Sequence, residues 1–343
     1  MRNELELWQF AAERLKRGQS VMLLVVAESA GSSPGRQGFK MIVAEDEMYG
    51  SIGGGVMEVS LVEQAKVKSE KAKGKNKSAI RISHSAIVEQ VHRKTSPQSS
   101  GMICSGKQTV IFFALNRAHL ETVRQIIDAL KNHESKILQI SSDKFRVAPL
   151  GAILQGDFTP KGVTLNTNFR FQRKSENSFL FEEKLGYKNK LFIVGGGHCA
   201  LALSELASKM DFHISLFDDR PNLNTLAKNE FVHAKHIIES YEEIDEHIPS
   251  GIYNFVVVMT LGYKSDETVV RRLLGKNFKY FGVLGSKAKM KTLLRNLEKE
   301  GFPKERLAQI HTPIGLPINS RSPEEIAISI AAEIIAVKNA VER

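Results

Sequence analysis

The sequence predicts an α/β protein, with a doubly wound parallel sheet in its C-terminal half preceded by a mixed α/β N-terminal domain. Three observations carry that prediction. Lys190-Leu-Phe-Ile-Val-Gly-Gly-Gly-His-Cys-Ala200 is an apolar run that breaks into three glycines and resumes with helical spacing, which reads as strand, tight turn and helix. Gly195, Gly197 and Ala200 fit the G-x-G-x-x-G/A fingerprint of a Rossmann-like nucleotide turn: the first glycine turns, the second admits a phosphate, and the small third residue keeps helix and strand close. Next, His213-Ile-Ser-Leu-Phe217 reads as a strand ending on Asp218, which lies 23 residues after Gly195. Such folds place a ribose-binding carboxylate about 20 residues on. Finally, strand and helix patterns go on alternating through Phe255–Thr260, Asp266–Leu274 and Tyr280–Gly285. A glycine-rich turn without a ligand would show the same glycines, and the acid in register is what argues against it.

Composition sets the bounds. A chain of 343 residues is long enough for two domains, and 42% hydrophobic with 25% charged residues is ordinary for a globular protein. The net charge of +10 suits an anionic ligand or partner. Much of it is local, in Lys66-Val-Lys-Ser-Glu-Lys-Ala-Lys-Gly-Lys-Asn-Lys77, which reads as the solvated end of a helix running into a loop. No aromatic residue interleaves with those lysines, which argues against nucleic acid as a partner. The acidic start Met1-Arg-Asn-Glu-Leu-Glu-Leu-Trp8 is unlike a signal peptide and no apolar run reaches about 18 residues, so a soluble, cytoplasmic protein without a membrane span is expected. Two cysteines, Cys104 and Cys199, exclude a disulfide framework and a zinc site built on several cysteines.

In chain order, Trp8, Ala11, Ala12 and Leu15 recur at helical spacing ahead of Gly18, and Val21–Ala27 is a continuous apolar run of strand length, expected to be covered on both faces. A polar loop, residues 28–38, leads into a hairpin of Phe39–Val43 and Met48–Ile52. The hairpin runs into Gly53, Gly54 and Gly55 and then a helix, a second glycine turn whose free amides and positive dipole end suit an oxyanion. Arg36 and Lys40 are its candidate anion partners. A close backbone crossing that merely excludes side chains is the plain alternative. Strands are expected over Ser78–His84, Gln108–Phe113 and Lys136–Ile140 and a helix over His119–Leu130, whereas 85–100 resists assignment. Residues 114–186 as a whole are poorly assigned. The boundary is placed at Gly186-Tyr-Lys-Asn189, giving domains over 1–186 and 187–343. In the second, Thr260, Gly262, Gly285 and Ser286 are expected to join Gly195, Gly196, Gly197 and His198 around a crevice at the carboxyl ends of the strands. Ser322-Pro-Glu-Glu325 forms a capping box for the last helix, which should bury Ile326, Ile330, Ile334 and Val337.

These motifs together resemble the xanthine dehydrogenase accessory protein (XdhC/CoxI) family over most of the chain. Its N-terminal loop G-S-S/T-P-x-x-x-G stands here as Gly31-Ser-Ser-Pro-Gly-Arg-Gln-Gly38, and its G-S/T-I-x-G-G-x-x-E turn as Gly50-Ser-Ile-Gly-Gly-Gly-Val-Met-Glu58. Its C-terminal motifs stand as Gly195-Gly-Gly-His198, Asp218-Asp-Arg-Pro221, Gly282-Val-Leu-Gly-Ser286, His311-Thr-Pro-Ile-Gly-Leu316 and Arg321-Ser-Pro-Glu-Glu-Ile-Ala327. The resemblance implies a chaperone for the molybdenum cofactor (molybdopterin or its dinucleotide form), which protects it during sulfuration and hands it to a molybdenum hydroxylase of the xanthine dehydrogenase type. A cysteine desulfurase is then a partner, and a homodimer is the expected assembly. Ser32, Ser33, Glu58, Asp219 and Arg220 become cofactor-binding candidates beside the residues above, and Cys104, in the family's cysteine-glycine segment, becomes a candidate reactive thiol and molybdenum ligand. Two departures stand out: Val56 where many members have cysteine, and Thr260-Leu-Gly-Tyr263 where many have a histidine-rich segment. An NAD-like nucleotide on the glycine turn also keeps open an NAD(P)-dependent oxidoreductase or a nucleotide-sensing regulatory protein.

Overall fold

The computed structural model describes residues 2–73, 85–92, 106–134, 136–149, 168–175, 178–210 and 212–340. Two compact units are present, Met1–Gly186 and Tyr187–Arg343. No helix among the described residues is long and apolar enough to cross a membrane.

The first unit contains α1 (Arg2–Lys16), β1 (Val21–Gly31), β2 (Lys40–Val43), β3 (Met48–Gly50), α2 (Gly55–Lys73), β4 (Ser85–His92), β5 (Gly106–Leu115), α3 (Leu120–Lys131), β6 (Lys136–Ser141), β7 (Phe145–Pro149), β8 (Phe169–Ser175) and β9 (Ser178–Lys184). They form two antiparallel sheets, ordered β3-β2-β1-β5-β4 and β7-β6-β9-β8. The run Val21–Ala27 is buried throughout because its alternate side chains enter two different cores. Leu23 and Val25 join Trp8, Ala11 and Leu15 of α1, Ile126 of α3 and Phe181 of the second sheet. Met22, Leu24 and Val26 join Met57, Leu61 and Ala65 of α2 on the other face.

Strand β4 occupies residues whose sequence carries no strand pattern, while the strand expected at Ser78–His84 lies outside the described residues. The reason is its place at the sheet edge, where Glu89 pairs with Lys107 and Arg173 and the apolar alternation of a half-buried strand is lost. Lys40 is a second departure. It is no anion partner for a ligand: its side chain is only 5% exposed, and its ammonium lies 2.7 and 2.6 Å from the two carboxylate oxygens of Glu183 and 3.0 Å from Glu4. Since Lys40 belongs to the first sheet and the fully buried Glu183 to the second, the pair ties the two together.

The second unit contains β10 (Asn189–Val194), α4 (His198–Ser208), β11 (Phe212–Asp218), α5 (Asn224–Lys228), β12 (Ala234–Ile237), α6 (Ile244–His247), β13 (Gly251–Val258), α7 (Tyr263–Leu273), β14 (Phe278–Val283), α8 (Lys287–Lys299), α9 (Lys304–Leu307) and α10 (Pro323–Asn339). All five strands are parallel, in the order β12-β11-β10-β13-β14. The order reverses between β10 and β13, which is where open α/β sheets open a crevice at their carboxyl edge. Each face carries its own core, one through Val194, Val256, Val258 and Val270, the other through Leu191, Ile193, Ala200, Leu203 and Val257. The last helix begins with the expected capping box between Ser322 and Glu325. Its Ile330 and Ile334 are fully buried, Ile326 and Val337 partly so.

Removing Glu183 leaves the buried Lys40 ammonium with Glu4 alone, and losing half of a buried ion pair costs up to about 3–5 kcal/mol. Glu183→Leu is therefore expected to lower the urea midpoint sharply, and Lys40→Met combined with Glu183→Leu to recover most of the loss. A double variant no more stable than the single one would show that the packing around Glu183, rather than its charge, is the constraint.

Candidate functional site

The carboxyl edge of the parallel sheet is built from four strand ends. After β10 the chain must reverse into α4 within three residues, and Gly195 does this with φ +104°, a conformation L side chains rarely adopt. A Cβ there would also lie 2.3 Å from the Met259 carbonyl oxygen, at the end of β13. Gly196 is enclosed by Leu216, Leu223 and Asp218. Gly197 differs: it is extended (φ −71°, ψ −170°), and a Cβ on it would meet nothing within 4 Å. As a glycine it offers α4 no capping side chain, so the start of that helix lies beside open volume. His198, the first helical residue, is exposed beside it. Uncapped amides, a positive dipole end and free space are what a phosphate requires, so the residues present fit a phosphorylated ligand.

Asp218 closes β11 and is fully buried. One carboxylate oxygen accepts the Arg220 amide (2.9 Å) and Nε (2.8 Å), and the other accepts the Gly196 amide (2.6 Å) and Arg220 Nη2 (2.7 Å). Burial is the largest influence on this group and disfavours its charge; the Arg220 side chain with the Gly196 and Arg220 amides outweighs it and holds the carboxyl below its ordinary value. Thr225 adds a hydroxyl bond to the Gly196 carbonyl at 2.5 Å. Asp219 is exposed and Arg220 half-exposed at the rim.

On the other side of the switch point, Thr260 follows β13 and directs both its amide (3.0 Å) and its hydroxyl (2.6 Å) to one carboxylate oxygen of Asp266, in the first turn of α7. Asp266 is buried, and burial pushes its carboxyl up in spite of the Thr260 bonds and the nearby charge of Lys289. In the sequence it stands only as the start of a helix, although an acid beginning a helix right after a strand at the switch point is a usable sign. Leu261, between them, is 80% exposed. Gly285 and Ser286 follow β14; Gly285 packs on Met290, and the Ser286 hydroxyl caps α8. Cys199 is half-buried, with its thiol pushed up by burial and then by the charge of Glu324, an environment that disfavours a reactive thiolate.

In the first unit the loop 31–38 and the turn 50–58 do come together. A Cβ on Gly53 would lie 2.4 Å from the Gly35 amide nitrogen, and one on Gly35 would lie 2.2 Å from the Ile52 carbonyl oxygen. The fully buried Gln108 joins them, accepting from the Ser33 hydroxyl (2.8 Å) and donating to the Ile52 carbonyl (3.1 Å). Its sign in the sequence is one amide opening an otherwise apolar strand. Gly53, Gly54 and Gly55 all have positive φ. Glu58 is spent on the turn itself, with one oxygen accepting from Ser51 Oγ and the amides of Ile52 and Gly54 at 2.7–2.9 Å. Ser33 is likewise buried and committed, which leaves Ser32 and Arg36 as the exposed polar groups of the loop. Cys104 lies outside the described residues. Among the described residues no group of three or more His, Cys, Asp or Glu side chains is arranged to hold a metal ion.

The two acids at the second unit's edge carry opposite pH signatures. The depressed Asp218 stabilises the fold above the ordinary value of 3.8, and that contribution is lost as pH falls through its folded value. Asp218→Asn should thus cost about 2–3 kcal/mol at pH 7, with the deficit shrinking in acid. For the raised Asp266 the linkage is reversed, since its stabilising, protonated form is lost as pH rises. Asp266→Asn, whose amide oxygen can still accept from Thr260, should gain on the parent between pH 4 and pH 7. Urea unfolding across that range checks both, and parallel pH profiles for the two variants would contradict the assignment.

A model of the XdhC Rossmann domain matches residues 191–334, and a model of the XdhC and CoxI family matches residues 14–73. The uncharacterized protein YqeB of Escherichia coli (strain K12) is 32% identical over 158 residues, which is 45% of this chain and 28% of that protein. A protein of Bacillus subtilis (strain 168), named as a probable xanthine dehydrogenase subunit, is 30% identical over 163 residues, 47% of either chain. The matched region thus spans less than half of each of these relatives. A crystal structure of a xanthine dehydrogenase from Bacillus halodurans shares the fold, with a TM-score of 0.65 at 21% identity over 98% of this chain and 95% of that one. With two models of one family matching in order, one in each unit, the chain belongs to the XdhC and CoxI family.

Proposed function

We propose that this protein is an accessory factor for a molybdenum hydroxylase of the xanthine dehydrogenase type, and that its second unit binds a phosphorylated nucleotide or pterin at the carboxyl edge of the sheet. Family membership and the Bacillus subtilis relative, named for a xanthine dehydrogenase, support the first part. The observation that carries the second is the Gly195–His198 turn, where an uncapped helix start faces open space at Gly197. In the finer form of this reading the ligand is the molybdenum cofactor, in its molybdopterin or dinucleotide form. The accessory factor holds it while a cysteine desulfurase supplies sulfur, and then passes it to the hydroxylase. The cofactor would supply the molybdenum–dithiolene redox centre; this chain's part is to bind its phosphate at the glycine turn, with Ser286 and Thr260 lining the neighbouring strand ends. The chain's positive charge favours capture of such an anion.

Gly197→Val separates binding from folding, because the backbone there is ordinary for an L residue and an added Cβ meets nothing within 4 Å. The variant is expected to keep the parent's thermal midpoint. It should lose nucleotide and molybdopterin binding in calorimetry and fail to raise the activity of a co-expressed hydroxylase. Unchanged affinity would sink the ligand assignment; lost binding with full hydroxylase activity would sink the accessory role.

A further inference from the structure

The spacing of Asp218 from the glycine turn suggests a carboxylate reading a ribose diol, and its geometry argues otherwise. A carboxylate offers about four acceptor positions. All four are filled, two by the side chain of Arg220 and two by backbone amides, and the residue has no exposed surface. A ribose hydroxyl could bond Asp218 only by displacing one of these donors. What faces outward at the end of β11 is Arg220, whose side chain is 32% exposed. Its Nε and one Nη2 hydrogen are committed to Asp218, and its remaining three N–H groups have no partner among the described residues. The guanidinium cannot swing away freely, because Asp218 grips it along one edge in a bidentate pair. Its other edge is therefore a fixed fork of donors at the position where a nucleotide seated on the glycine turn would place its ribose.

Resting on the nucleotide reading of that turn, we infer that Arg220 is the specificity-determining residue of the crevice and selects a ribose carrying a 2′-phosphate over a free 2′,3′-diol, with Asp218 as the positioning residue that holds it. A planar guanidinium matches two phosphate oxygens at once, whereas it gives a neutral hydroxyl no comparable charge-assisted contact. Asp219 works in opposition from the rim: it is exposed, 3.8 Å from Arg220 Nε, and repels a phosphate there. The arrangement thus has an attractive and a repulsive charge side by side, and each makes its own prediction.

The test is calorimetry of the full chain with NAD⁺, NADP⁺, 2′,5′-ADP and 3′,5′-ADP. NADP⁺ should bind about tenfold or more tightly than NAD⁺, and 2′,5′-ADP more tightly than its 3′ isomer, with the preference fading at high salt. Arg220→Ala should abolish the preference, read as the ratio of the NADP⁺ and NAD⁺ affinities of the variant falling to about one. Arg220→Lys should restore part of it, and Asp219→Asn should enlarge it. Because Arg220→Ala uncovers the buried Asp218, its thermal melt is recorded alongside, and Asp219→Asn, a change to an exposed side chain, tests the same charge balance if that melt is lost. Equal or tighter binding of NAD⁺, or a preference that survives Arg220→Ala, would overturn the inference and leave the nucleotide reading standing. Failure of all four probes to bind would remove the nucleotide reading and the inference with it.

Discussion

The second unit is organised around one buried carboxylate. Asp218 lies at the end of β11, yet two of its four hydrogen bonds fix the neighbouring elements: the Gly196 amide belongs to the turn after β10, and the Arg220 amide to the segment leaving β11. A buried charge of this kind is tolerated only if every lone pair is met, so the positions of both backbone segments are dictated together. Gly195 must then turn with positive φ against the Met259 carbonyl, and α4 must start where the turn delivers it, with its amides uncapped. The open volume at Gly197 is a consequence of that geometry.

Much of this is legible in the residues. Apolar periodicity marks α1, β1, β2 and the strands on either side of the switch point, because each is covered by a core that enforces the pattern. The capping box of α10 is legible for a different reason, being local chemistry within four residues. What the residues conceal lies at sheet edges. Strand β12 is Ala-Lys-His-Ile, largely exposed, and β4 trades alternation for ion pairs, so neither carries the hydrophobic signature of a covered strand. Helix α8 is hidden as well, since its first turn is lysine-rich and only Met290, Leu293 and Leu297 are buried.

The site is legible in position and not in role. Residue type and spacing locate Asp218, Glu58, Ser33 and Lys40, but a spacing cannot say which way lone pairs and protons point. Each of the four satisfies the fold instead: Asp218 and Glu58 close their own glycine turns, Ser33 meets the buried Gln108, and Lys40 joins two sheets. For the two acids the physical reason is the same. A glycine turn exposes backbone amides, and the polar side chain nearest to it is as able to satisfy them as any ligand. The neighbours that face solvent are Asp219, Ser32, Arg36 and the outer edge of Arg220, and burial is the property that sequence spacing reports least.

Where local rules are broken without an internal partner, the balance tips toward a ligand. Helices favour acids in their first turn and bases in their last. Helix α8 begins Lys287-Ala-Lys-Met-Lys291, and neither it nor α4 carries an acid in its first turn. Both helix starts follow strands at the carboxyl edge of one sheet, so two positive dipole ends and the lysines of α8 lie along it. Departures of this sort gather at functional sites, where a bound group relieves them. An anion seated beside these helix starts would complement their positive dipole ends, and the protein would be more stable with it than without it.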